Sequence, residues 1–225
     1  MHITFVSIFP EIFECFFSTS LIAKAQDKWI LSFDIINPRD FCTDKHRQVD
    51  DEIYGWWDGM LLKAEPMILA VESAIKKQKH SKIVFLTPSK TIFNQQIAHK
   101  YADNYKHIIF VCGRYEWIDD RFIKYFSKKH PDNFVCMSLW MFVTLGGELP
   151  AMTMCESIVR LITGVIKKEN SWKDESYSVD HSMKNLEYPQ YTRPAIVMWM
   201  EVPEILLSGH HLNIEKWKKN MSDWI

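Results

Sequence analysis

Over the first two-thirds of the chain, short apolar runs alternate with segments whose apolar positions recur at helical spacing. Ile3–Ile8 reads as a buried strand, Glu11–Ala25 as a helix and Leu31–Ile36 as a second strand. Pro66–Lys77 is helical by its apolar spacing. Ile83–Leu86 and Ile108–Val111 are β-branched-rich runs of the kind found in strands covered on both faces, and Phe93–Tyr101 between them reads as a crossover helix. Ile118–Phe126 follows as a helix, Phe134–Val143 contains a further strand, and Ala151–Ile162 is a helix with Pro150 just before it. This β-α-β rhythm predicts an α/β domain over residues 1–165, a mostly parallel sheet with helices on both faces.

The pattern changes after Gly164. Lys167–Pro189 is polar, charged and almost free of aliphatic residues, which predicts a flexible linker over 166–190. Two apolar-periodic pieces, Val202–Leu207 and Leu212–Lys219, predict a short α-helical C-terminal domain over 191–225.

Composition narrows the picture in three ways. The chain is an ordinary globular mix with a formal net charge of −1, so a nucleic-acid partner must be held by a local basic face. Lys216, Lys218 and Lys219 beside Trp217 form a candidate face. The five cysteines (Cys15, Cys42, Cys112, Cys136, Cys155) are scattered without a C-x-x-C pair, which favours reduced thiols over a disulfide frame or a zinc site. No metal-ligand cluster is apparent. The start MHITFVSIFP lacks a basic n-region, and the longest near-apolar run, Phe134–Leu145, is too short to span a bilayer, so a soluble cytoplasmic protein is expected.

Candidate chemistry lies between the regular elements. Asn37–Met60 reads as a long irregular loop dense in charge, with Arg39, Lys45, His46 and Arg47 able to meet phosphates. Asp50 and Asp51 can accept the paired N1 and N2 donors of a guanine edge. Val111–Asp119 (VCGRYEWID) joins a strand to a helix, the position where α/β folds bind ligands, and Gly113 allows close backbone approach. Thr144–Met152 (TLGGELPAM) repeats that situation. Arg160 follows on the next helix, and Asp174–Glu175 lie in the linker, where closure can bring a carboxylate to a substrate. Each feature alone is also what an ordinary solvated loop or turn looks like. Together they describe a strand-end pocket without identifying a reaction.

The blocks SIFPE (Ser7–Glu11), PRDF (Pro38–Phe41), DKHRQVDD (Asp44–Asp51), VCGRYE-ID (Val111–Asp119), GGELPAMT (Gly146–Thr153), YTRP (Tyr191–Pro194) and VPEILLSG.H (Val202–His211) run in order through nearly the whole chain. In this the sequence resembles the bacterial tRNA (guanine-N1)-methyltransferase family of the SPOUT superfamily. The resemblance implies a deep trefoil knot, which general topology rules would discourage. It implies S-adenosyl-L-methionine as methyl donor, held in the knot by Leu86, Thr87 and Pro88, by Cys112, Gly113, Arg114, Tyr115, Glu116 and Trp117, and by Ser138, Leu139, Trp140, Phe142, Thr144, Gly146, Gly147 and Pro150. It further implies a homodimer with the active site between subunits, acting on guanine 37 of tRNA when guanine 36 precedes it. The substrate-binding residues by this resemblance are Arg39, Asp40, His46, Arg47, Asp50, Tyr54, Gly59, Met60, Ser171 and His210. Glu175 matches the family's catalytic acid position and Arg160 its catalytic arginine. A base must take the N1 proton as the methyl moves, and a cation can stabilise charge shifting to O6.

One departure is systematic. Trp29, Trp56, Trp57, Trp117, Trp140 and Trp199 all stand where the family pattern has glycine. The chain holds 9 tryptophans and 7 glycines; reading those six as glycine turns the counts into 3 and 13, both ordinary. The expectation is a UGA codon that the source lineage reads as glycine. If the tryptophans are real, the alternative is a catalytically weak or inactive RNA-binding relative. Met141 and Lys90 also depart from the family's usual Asp and Gly.

Overall fold

The structure, a computed structural model, describes residues 1–55, 58–78, 80–89, 91–166, 175–177 and 186–222. Trp56, Trp57, Lys90, Ser171 and Asp174 lie outside the described residues. The chain divides into two units, Met1–Lys167 and Lys168–Ile225.

In the first unit β1 (His2–Val6) leads through a 3-10 turn at Pro10–Phe13 into α1 (Glu14–Phe17) and α2 (Ser20–Asp27), then β2 (Ser32–Ile36). After a 3-10 turn at Pro38–Phe41 come β3 (Asp50–Glu52), β4 (Met60–Leu62) and α3 (Ala64–Lys77), then β5 (Ser81–Leu86), α4 (Gln95–Asn104), β6 (His107–Cys112), β7 (Trp117–Ile118), α5 (Asp120–Lys129), β8 (Phe134–Met137) and α6 (Glu148–Val159). Five strands form one sheet in the order β2-β1-β6-β5-β8, every pair parallel.

The apolar strand runs follow from this topology, because helices cover both faces. Alternate residues sort into two cores. Ile3, Phe5, Val84, Leu86, Ile108 and Phe110 pack with Ala98 and Tyr101 of α4 and with Ala151, Met154, Cys155 and Ile158 of α6. Val6, Ile83, Phe85, Ile109 and Val111 pack with Met67, Ala70, Val71 and Ala74 of α3 and with Phe122 and Phe126 of α5. Side-chain oxygens of Asn94 and Asp119 cap α4 and α5 by accepting from the Ile97 and Arg121 amides.

The structure corrects several element boundaries. The single helix expected over Glu11–Ala25 is broken at Ser18–Thr19 between α1 and α2. Helix α6 starts at Glu148, which puts Pro150 inside its first turn, where a missing N–H costs nothing. The segment read as irregular, Asn37–Met60, contains β3, which pairs antiparallel with β4; β4 then pairs parallel with β7. Short polar strands such as DDE carry too little apolar alternation to be read from sequence. All five cysteines are free, and no helix among the described residues is long and apolar enough to cross a membrane.

The second unit holds a two-stranded antiparallel ribbon, β9 (Ile196–Val197) with β10 (Met200–Glu201), and two helices, α7 (Glu204–Leu207) and α8 (His211–Met221). The ribbon adds β structure to a unit expected to be purely helical. The Ser176 and Glu187 segments bond reciprocally, Ser176 N–H to Glu187 Oε1 at 3.2 Å and Glu187 N–H to Ser176 Oγ at 2.9 Å. Trp217 on α8 meets the Tyr188 ring edge-on at 6.2 Å.

Two features make testable statements about stability. Helix α2 ends in a Schellman motif: Ile30 N–H bonds Ala25 O at 2.9 Å and Trp29 N–H bonds Gln26 O at 2.8 Å. The left-handed residue this motif requires is Trp29, at φ +60° and 93% exposed. Its indole gains almost no burial to offset the left-handed backbone. Trp29→Gly is expected to stabilise the fold by roughly 1 kcal/mol; an unchanged or lower thermal midpoint would contradict this. His107, fully buried on β6, bonds Ser81 Oγ through Nδ1 at 2.7 Å and Thr4 Oγ1 through Nε2 at 2.9 Å. Burial, and then the neighbouring His2, push its pKa down from 6.5 to about 4. The unfolded chain therefore binds this proton at a pH where the native protein does not. Stability should fall by roughly 2 kcal/mol as pH drops from about 6.5 to about 4, screening allowed for. Denaturant titrations across that range should show the slope, and His107→Gln should lose most of it.

Candidate active site

The carboxyl ends of β5, β6 and β8 open onto one cavity of about 280 Å³. Three segments wall it. The first is Leu86–Pro88, whose continuation is tied to the end of β8 by Phe93 N–H to Ser138 O and Ser138 N–H to Thr91 O, both at 2.9 Å. The second is Gly113–Ile118 after β6, and the third is Met137–Gly147 with Pro150. Every cofactor residue expected from sequence lines this cavity except Cys112, which is buried behind it. Phe85, Ile118, Met137, Val143 and Leu145 line it as well. Sequence reading missed them because an apolar wall and an apolar core look alike.

The cavity depends on close backbone approach. A Cβ at Gly147 would lie 2.8 Å from Cys112 Cα and 3.0 Å from Gly113 N. The Gly147 N–H instead donates to Gly113 O at 2.9 Å, joining the turn before α6 to the turn after β6. At Gly113 a Cβ would meet only ordinary contacts, the nearest Phe85 at 3.5 Å. Thr87 Oγ1 is buried in the wall with no hydrogen-bond partner among the described residues, an unmet capacity that a bound polar ligand can satisfy. Arg114 and Glu116 are the only charged residues among the described lining residues.

Among the described residues, the charged loop meets the cavity through the turn Tyr115–Trp117. Leu61 on β4 pairs with Trp117 on β7, and Glu116 Oε2 accepts the Met60 N–H at 2.7 Å. Gly59 sits beneath that carboxylate at φ +117°, where a Cβ would lie 2.5 Å from Glu116 Cδ. Tyr115, in the left-handed region at φ +60°, donates its hydroxyl to Asp50 Oδ1 at 3.2 Å. Burial, and then the Asp50 carboxylate, raise the Tyr115 pKa, so the phenol stays protonated. Arg39 Nη1 donates to Arg47 O at 3.3 Å, and Arg47 Nη1 to Asp40 Oδ1 at 3.4 Å. Asp50 and Met60, with Gly59 just before it, thus lie on the ribbon bonded to this turn, while Arg39, Asp40 and Arg47 are linked to one another in the preceding turn and loop. His46 and Tyr54 are exposed, with Tyr54 at 97%.

Arg160 caps the far end of α6, a 12-residue helix, about 20 Å from Gly147. Glu175 and His210 belong to the second unit, where His210 precedes α8. Among the expected basic face, Lys218 is engaged by Glu215 at 2.9 Å and the Tyr188 ring at 5.0 Å, which leaves Lys216 and Lys219 as its exposed members. No group of three or more His, Cys, Asp or Glu able to hold a metal converges among the described residues.

A cavity of this form admits several cofactors, and comparison with known proteins narrows them to a methyl donor. Residues 1–223 match the family described as "tRNA (Guanine-1)-methyltransferase TrmD". The chain belongs to this family. A tRNA (guanine-N(1)-)-methyltransferase of Clostridium botulinum (strain Kyoto / Type A2) is 43% identical over 99% of this chain and 87% of its own length. That of Treponema denticola is 45% identical over 97% and 84%, and that of Metamycoplasma arthritidis 42% identical over 99% and 90%.

The four described tryptophans at expected glycine positions share a property. Trp29, Trp117, Trp140 and Trp199 are 93%, 39%, 56% and 82% exposed, whereas Trp217 is half-buried. Trp117 and Trp140 line the cavity, and Trp199 sits in the two-residue loop between β9 and β10 beside Met198 at φ +58°.

The glycine geometry yields a paired prediction. Gly147→Ala forces backbone apart and should cost about 2 kcal/mol of stability, while Gly113→Ala should cost well under 1 kcal/mol. Thermal denaturation of the two variants checks this; equal losses would contradict it.

Proposed function

We propose that this protein transfers a methyl group from S-adenosyl-L-methionine to N1 of guanine 37 in tRNA, beside the anticodon, where guanine 36 precedes it. The observation that carries this reading is the single turn Arg114–Glu116. It walls the strand-end cavity on one side and grips the Asp50 and Met60 strands on the other. A donor in the cavity and a base on the ribbon are then neighbours, and positioning supplies much of the rate.

The residues present fit the donor. Glycine backbone at 113, 146 and 147 allows close approach, Thr87 offers an unpaired hydroxyl, and the apolar wall suits an adenosyl group. When bound, the donor supplies an electrophilic methyl on a sulfonium. The chain must supply a base for the guanine N1 proton and a cation for charge gathering on O6. Glu175 and Arg160 are the residues we assign to these roles. The length of α6 between Arg160 and the cavity supports a homodimer in which Arg160 of one copy completes the site of the other. The exposed apolar residues Met141, Val143, Leu145 and Leu149, between 60% and 91% accessible in the single chain, support the same assembly. The packing of Gly147 against Cys112 and Gly113 supports a knotted passage of the chain beneath the cavity. With tRNA as substrate, the place of work is the cytoplasm.

The six tryptophans are, in this reading, glycines in the protein as its own cell makes it. No observation favours the alternative of an inactive RNA-binding relative, and the relatives above are all named as methyltransferases.

The test is methyl transfer from labelled donor to a tRNA transcript bearing guanines 36 and 37, with the product mapped by nucleoside analysis. Label at N1 of guanine 37, absent from a transcript lacking guanine 36, supports the reading; label elsewhere assigns another RNA base. The chain bearing glycine at all six positions should bind donor at least about tenfold more tightly than the chain as given, because two indoles leave the cavity. UGG codons at the six positions would refute the glycine assignment.

A further inference from the structure

Beneath the cavity lies a polar cluster that the reaction above does not use. Glu148, the first residue of α6, is 1% exposed. Its Oε1 accepts the hydroxyl of Ser7, which is fully buried at the end of β1, at 2.7 Å. Its Oε2 lies 2.9 Å from Arg114 Nε, out of line with the N–H, so the contact is an ion pair rather than an aligned hydrogen bond. The Arg114 guanidinium also covers the Phe9 ring at 4.7 Å. A Cβ at Gly146 would lie 2.3 Å from Arg114 Nε and 2.6 Å from Glu148 Oε2, so this pair forms only because position 146 has no side chain. Three distant segments, SIFPE, GRYE and GGEL, converge on one buried carboxylate.

Arg114 lines the cavity. An unpaired guanidinium there would repel a sulfonium and leave a neutral thioether untouched, and the effect is large where water is excluded. The methyl donor is the first and the demethylated product is the second. We propose that Glu148, anchored by Ser7, is a positioning residue that cancels the Arg114 charge in the cavity wall and so sets the preference between sulfonium donor and thioether product. This rests on the donor assignment above. Glu148 acts through Arg114 and touches neither ligand. Removing one partner of a buried pair leaves the other uncompensated, which gives each single variant a distinct sign.

Calorimetry of S-adenosyl-L-methionine and S-adenosyl-L-homocysteine is the test, on the chain as given and on its Trp117→Gly/Trp140→Gly form. Glu148→Gln keeps the shape and removes the charge. It should weaken donor binding at least about fivefold more than product binding. Arg114→Gln should move the ratio in the opposite direction, towards the donor. The double variant Arg114→Gln/Glu148→Gln should return it to within about twofold of the parent. Equal weakening of both ligands by Glu148→Gln would reduce the pair to a structural contact and overturn the proposal. If Glu148→Gln shows no cooperative thermal transition, Arg114→Gln decides, and an unchanged ratio there overturns it. Failure of both ligands to bind either parent overturns the donor assignment and this inference with it, a result distinct from a parent that binds both with a ratio the variants do not move.

Discussion

The first unit depends on one close approach, the Gly147 backbone lying on Cys112 and Gly113. A side chain at 147 would push the turn before α6 away from the end of β6. That separation would break the hydrogen bond from Gly147 to Gly113, part the third cavity wall from the second, and lift Glu148 off Ser7 and Arg114. Helix α6 packs against the same sheet face as α4, so its first turn is held from below by apolar burial and from above by this contact. The cavity is the space that remains when three strand ends and one tightly seated turn are fixed.

Most of this frame was legible in the residue pattern because parallel strands covered on both faces leave unbroken apolar runs. Ile83–Leu86 and Ile108–Val111 could be placed for that reason. The Asp50–Glu52 strand could not, since its pairing rests on backbone bonds to Met60–Leu62 and its side chains are polar. Pro150 was misplaced as a helix starter because a proline suits any position of the first turn, and spacing does not say which.

The site was legible unevenly. Gly146 and Gly147 announced close approach by residue type, whereas Gly113, of the same type, would meet only ordinary contacts with a Cβ. Glu148 gave no such signal, because a glutamate at the start of a helix is ordinarily a solvated partner of the helix dipole, and only the fold reveals that this one is enclosed. Arg160 and Glu175 stood out by position, but their catalytic roles were carried by resemblance alone, and the distance from Arg160 to the cavity along α6 is a fact no local pattern contains.

The turn Arg114–Glu116 is shared by two surfaces. Tyr115 holds its strained backbone conformation while bonded to Asp50, and Glu116 holds the Met60 amide. The same residues form part of the cavity wall. A ligand that shifts this turn from the cavity side must also shift the ribbon, and the reverse holds equally, because coupling between two binding events is reciprocal. The turn thus belongs to the cavity wall and to the ribbon at once, so any coupling between ligands held on the two would run through its three residues.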